Sequence, residues 1–189
     1  DWIYHIGVGL ITTPADGTVT TAKLADSSVT SAKLSGVTQG ITEVDVWMVT
    51  ADTNSGTDAD ITTNLARAST QISGKGLTYI GTGMTESSGI FSFPSTGIWK
   101  IDVNFQGNVA PNDNAFLYVN VTLNNSTYNS LGGAGISNKD STGTAAGIDT
   151  GNASAIIDVT DTSNVKVKFS TPSFATGTVV NGNTSEPIE

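Results

Sequence analysis

Cysteine is absent from this 189-residue chain. Disulfide frameworks and thiolate metal sites are therefore excluded, and stability has to come from packing and association. Histidine is nearly absent: His5 is the single copy, so a serine nucleophile would have only that one imidazole base. Cations are scarce as well, with 8 Lys and Arg against 17 Asp and Glu, a formal net charge of −9. Phosphate backbones are held mainly by Lys and Arg, so nucleic acid is not expected as a partner. No apolar run approaches the roughly 18 residues of a membrane-crossing helix. The start, Asp1-Trp2-Ile3-Tyr4-His5, also lacks the basic region of a signal peptide. Membrane insertion is not expected. Sustained helical periodicity is missing too.

What the chain does contain begins with a near-repeat. Val19-Thr20-Thr21-Ala22-Lys23-Leu24 returns ten residues later as Val29-Thr30-Ser31-Ala32-Lys33-Leu34. So short a unit cannot bury its apolar side chains within one chain, which implies stacking against other copies of itself. The hydroxyl residue is placed to cap a single helical turn, with Val and Leu on one side. A Ser/Thr-rich solvated linker is the plainer alternative, but a linker needs no recurring Val and Leu. With three parallel chains, Val19, Leu24, Val29 and Leu34 would form a narrow apolar axis, with Lys23 and Lys33 outward.

Composition divides the chain at two points. Residues 1–15 read as the end of an upstream module: an aromatic and β-branched strand from Trp2 to Leu10, closed by the turn Pro14-Ala15-Asp16-Gly17. Residues 16–40 carry the repeat. From 41 to 189 the pattern is one of short strands separated by Gly, Asn, Asp and Ser. Strands are predicted at Ile41 to Met48, Leu77 to Ile80, Ile90 to Phe93, Ile98 to Phe105, Ala115 to Leu123, Ala153 to Val159, Val165 to Phe169 and Thr178 to Val180. The cleanest is Ile98 to Phe105, with Ile98, Lys100, Asp102 and Asn104 on one face and Trp99, Ile101, Val103 and Phe105 on the other. The fold class is all-β, an antiparallel sandwich or barrel.

Two segments are more specific. Phe91-Ser92-Phe93-Pro94-Ser95-Thr96-Gly97-Ile98-Trp99 sets a strand, a Pro and Gly corner, then a long strand, and Ala153 to Val167 sets strand, polar turn, strand. Together they resemble the jelly-roll module of the complement globular head and tumour necrosis factor family, over roughly residues 41–180. Val19-Thr20-Thr21-Ala22-Lys23-Leu24-Ala25-Asp26 is similar to repeats in fibre proteins of tailed bacteriophages. The combination implies a homotrimeric virion fibre with a short shaft and a jelly-roll knob, extracellular and bound to other virion proteins. Its distal loops would touch a host cell-surface glycan or protein. Tail fibre, head fibre or capsid decoration, and bacterial surface adhesin are the alternatives. The family's closing strand would be either Thr178 to Val180, followed here by a polar tail, or a segment missing from a truncated chain.

Among the loops, Asn112-Asp113-Asn114 after Pro111 offers a carboxylate between two amides, the acceptors and donors that carbohydrate hydroxyls need. Leu131-Gly132-Gly133-Ala134-Gly135 and Ser141 to Asn152 read as long polar connections of the kind that carries recognition. Asp58-Ala59-Asp60 and the pair Asp158 and Asp161 have a calcium-like look, but an acidic turn is the reading taken. No catalytic residue, metal or cofactor is expected. Trp99, Phe105, Phe91 and Phe93 are assigned to the core, and Trp47 and Tyr128 to packing.

Overall fold

A computed structural model describes residues 14, 16–30, 33–34, 36, 40–54, 56, 58–68, 79–140, 143 and 145–183. The leading strand with His5, the Leu77-Thr78 part of a predicted strand and the tail after Asn183 lie outside these residues. Contacts divide the chain into two units, Asp1–Ile41 and Thr42–Glu189.

In the first unit, Thr21–Lys23 forms one 3-10 turn preceded by extended Thr20. The expected hydroxyl cap is not made, because the Thr20 side chain bonds no turn amide. The lysines stitch the turn instead. The Lys23 amide donates to Thr20 O at 2.9 Å and the Lys33 amide to Thr30 O at 2.9 Å. Lys23 Nζ reaches Thr18 O at 2.6 Å, and ten residues on Lys33 Nζ reaches Ser28 O at 3.4 Å. The period of the sequence is thus a period of hydrogen bonding.

The second unit is all-β. Its strands are β1 (Trp47–Val49), β2 (Ala59–Asp60), β3 (Leu65–Arg67), β4 (Thr85–Ser87), β5 (Ile90–Ser92), β6 (Gly97–Val109), β7 (Asn114–Thr122), β8 (Tyr128–Ser137), β9 (Gly147–Val159), β10 (Lys166–Thr171) and β11 (Val179–Val180). The larger sheet runs β4-β5-β10-β7-β8, with β2 also on β10; a second runs β11-β6-β9; β1 and β3 form a two-stranded ribbon. Every pairing among these strands is antiparallel, and three pairs from β5 onward are nested, while β10–β7 and β11–β6 cross them to complete the sheets. β7 pairs with β8, β6 with β9 and β5 with β10, and Thr53 bridges to Val180 outside them.

Alternation makes the core. Trp99, Ile101, Val103 and Phe105 of β6 face inward while Ile98, Lys100, Asp102 and Asn104 are exposed, as their spacing predicts. Trp99, Ile101 and Val103 pack against a buried cluster of Phe91, Val119, Val121 and Val167 of the larger sheet with Ala153, Ala155, Ile157 and Val159 of β9, and Phe105 joins a second cluster with Leu117, Ile136 and Val180. Each such side chain contributes roughly 1.5–3 kcal/mol when fully buried. Trp47 packs edge-on against Phe91, ring centroids 5.2 Å apart.

Two predicted loops are strands. Leu131 to Gly135 lies inside β8, and Gly147 to Asn152 is the first half of β9. Glycine has no side chain to show the two-residue period, so the pattern was invisible there. The packing needs that absence: a β-carbon on Gly132 would sit 2.6 Å from Ser154 O of β9, where the edges of the two larger sheets approach. In the other direction, the first predicted strand contracts to Trp47–Val49, preceded by a single bridge between Val44 and Ile80.

Candidate functional site

The Asn112-Asp113-Asn114 motif occupies the turn from β6 to β7, where Asn112 takes a left-handed φ of 57°. Left-handed backbone suits Asn better than most side chains, which explains the residue type. Around this turn the fold gathers connections distant in sequence. The Asn138 amide donates to Asp113 O at 3.0 Å, and Lys139 Nζ donates to Asn114 Oδ1 at 2.9 Å. Gly143 lies beside the Asn112 amide, and the Phe174 amide donates to Asp58 Oδ1 at 3.0 Å. The turn, Asn138, Lys139 and Gly143 after β8, the 174–178 segment and Asp58 before β2 therefore gather at this end of the sandwich.

Asp113 serves the scaffold within that cluster. Its Oδ2 accepts from Thr178 Oγ1 at 2.6 Å and from the Ala175 amide at 3.2 Å, and its Oδ1 accepts from the Asn114 amide at 2.9 Å. Thr178 is fully buried and its hydroxyl also accepts from the Ala110 amide at 2.9 Å. A chain of hydrogen bonds thus ties the turn to the segment before β11. The motif does not present an uncommitted carboxylate; Asn112 and Asn114 are its exposed members.

Of the other acidic candidates, Asp58, Asp60 and Asp161 are likewise engaged, while Asp158 is exposed on β9. Asp60 pairs with Lys168 at 2.7 Å. Asp161 accepts the Ser163 amide at 2.7 Å and the Asn164 side chain at 2.6 Å, and the Ser163 amide foremost holds its carboxyl below the usual range. Among the described residues no group of three or more His, Asp or Glu is placed to hold a metal ion.

Sequence reasoning missed the most tightly bound carboxylate. Asp45 has a side chain only 2% exposed. It accepts from Arg67 Nε at 2.7 Å and Nη2 at 2.9 Å, from Trp47 Nε1 at 2.9 Å and from the Met84 amide at 2.7 Å. Burial alone pushes this carboxyl up; the bonds from Arg67, Trp47 and Met84, with the guanidinium charge, outweigh it and hold the group below the ordinary carboxylate range. The guanidinium lies 5.0 Å from the Trp47 ring centroid and 4.9 Å from that of Tyr79. This cluster clamps the entry into the sandwich. Beside it a cavity of about 230 Å³ is walled by Trp47, Leu65, Ile101, Val103 and Phe169. Its lining also includes Asp45, Lys100, Asp102, Asn104 and Asn181; Asp45 is bound by Arg67, and Lys100 pairs with Asp102 at 2.8 Å.

No protein-family model matches this chain, and no curated protein matches it. Among the described residues no helix is long and apolar enough to cross a membrane.

Proposed function

We propose that this chain is a virion fibre protein, a homotrimer whose neck is the ten-residue repeat and whose sandwich is an attachment knob, in a tail fibre that contacts a host cell surface. The observation that carries the reading is the repeat. Its hydrogen bonds recur with the period of its sequence, yet Val19, Leu24 and Val29 are 53%, 46% and 46% exposed. A segment with regular geometry and bare aliphatic side chains is one half of an interface. The sandwich carries a second such surface: Ile98, Ile148 and Ile156, on the outer face of the β6-β9 pair, are about 70% exposed. The nested pairs β5–β10, β6–β9 and β7–β8, alternating between the two sheets, support the jelly-roll reading, since they are the winding of one long hairpin folded over on itself.

Attachment would use the far surfaces of the knob, with modest affinity per site multiplied over three copies. Sedimentation of the purified chain should give a threefold mass, and a stable monomer overturns the neck assignment. Fluorescently labelled protein should decorate susceptible cells and leave receptor-deficient cells dark. Dark susceptible cells would point instead to a head fibre or capsid decoration.

A further inference from the structure

The outer face of the larger sheet carries a strip that none of the loops explains. Phe116, Tyr118 and Asn120 of β7 point outward, half-buried, in alternation with buried Ala115, Leu117, Val119 and Val121. Opposite them on β8 stand Gly135 and Gly133, paired with Phe116 and Tyr118. A β-carbon on Gly133 would overlap the Tyr118 ring, and one on Gly135 would lie 3.0 Å from the Phe116 ring. The rings therefore lie over bare backbone, their centroids 6.2 Å apart at 42°. On the other side of β7, Asn120 Nδ2 donates to Ser170 Oγ of β10 at 2.7 Å. Next along β10, Lys168 Nζ donates to Asp60 Oδ2 at 2.7 Å and sits 4.4 Å from the Tyr128 ring centroid.

Resting on the attachment role proposed above, we infer that this strip is a binding face for a neutral glycan. Two neighbouring rings offer apolar surface to the C–H faces of sugar rings, and the phenol, amide, hydroxyl and ammonium groups beside them suit sugar hydroxyls. Lys168 is paired with Asp60, Lys166 beyond it is bonded to Ser92 Oγ at 3.0 Å, and the chain as a whole carries −9, so the face has too little positive charge to select a polyanion. Four residue steps along β7 by two strand spacings give about 13 by 10 Å, the footprint of a short oligosaccharide. The glycines are what make the platform flat.

The test is a printed array of neutral hexose, N-acetylhexosamine and uronic-acid oligosaccharides, probed with the labelled full chain. Neutral or N-acetylated sugars should bind, and Tyr118→Ala and Phe116→Ala should each lower the signal at least tenfold. Asn120→Ala should lower it severalfold, with melting temperature and assembled mass as controls. Tyr118→Leu keeps an apolar cover over Gly133 and decides the matter should Tyr118→Ala not fold. Rings over strand glycines also stabilise a sheet; variants that melt earlier but bind like the parent would reduce the strip to that role and overturn the proposal. An array without signal, or with uronic-acid signal only, would also overturn it. Cell labelling by the parent protein separates the two readings: if it persists, attachment stands and only this face falls.

Discussion

The repeat and the sandwich solve the same problem, where to put aliphatic side chains, in opposite ways. In the sandwich, inward positions on β6, β7, β9 and β10 meet across two sheets, so Val119, Val159, Val165 and Val167 are at most 1% exposed within one chain. In the repeat, one ten-residue unit spans too little chain to fold back on itself, and Val19, Leu24 and Val29 remain at the surface while Leu34 is half-buried. Local hydrogen bonding is orderly in both. A regular backbone does not by itself bury anything; burial needs contacts far apart in sequence or supplied by another copy.

Mutations can break that contrast in graded steps. The largest effect is expected from Phe91→Ala, which removes a ring 3% exposed that touches Trp47 and Phe169. It should cost about 3–5 kcal/mol in denaturant unfolding, much of a typical domain's 5–15.

Asp45→Ala should follow at about 3 kcal/mol, because it leaves the Arg67 guanidinium without its buried partner. This pair also gives the sandwich an acid limit. Asp45 has a carboxyl depressed in the folded state, so its contribution is complete above the unfolded carboxylate value near 4 and is lost as pH falls through the lower folded value. Melting temperature followed from pH 7 to pH 2 should drop in that window, and Asp45→Ala should flatten the drop.

Smaller again, Thr178→Val should cost about 1–3 kcal/mol, since it strands the Ala110 amide and a carboxylate oxygen of Asp113. Hydrogen exchange should show the loosening in residues 110–114 and 172–178. The smallest effect on the sandwich belongs to the double change Leu24→Ser with Val29→Ser, under about 0.5 kcal/mol. Its consequence should be a shift of sedimenting mass toward monomer; an unchanged assembly would place self-association elsewhere.

The elements that could be read in advance were those whose own residues alternate. Ile98 to Phe105, Ala115 to Leu123 and Val165 to Phe169 correspond to β6, β7 and β10, and the two faces expected of Ile98 to Phe105 are those observed. The missed strand β8 is one whose glycines carry no pattern. The candidate turn was also legible, since Pro111 and Asn112 are turn formers, but the engagement of Asp113 was not. Its hydroxyl partner, Thr178, lies 65 residues away. Asp45 escaped notice for the same reason, its arginine being 22 residues distant.

Periodicity and composition were therefore enough for the all-β class, for the inward and outward faces of β6, for the acidic composition and for the ten-residue unit. These depend on the two-residue alternation of a strand or on short-range repetition, which neighbouring residues carry. Sheet order, the inward commitment of Asp113, the Asp45–Arg67 clamp and the rings laid over Gly133 and Gly135 were settled only by folding. Each depends on which distant segments pair, and that choice is made by the combined burial of both sheets, a quantity no local stretch contains.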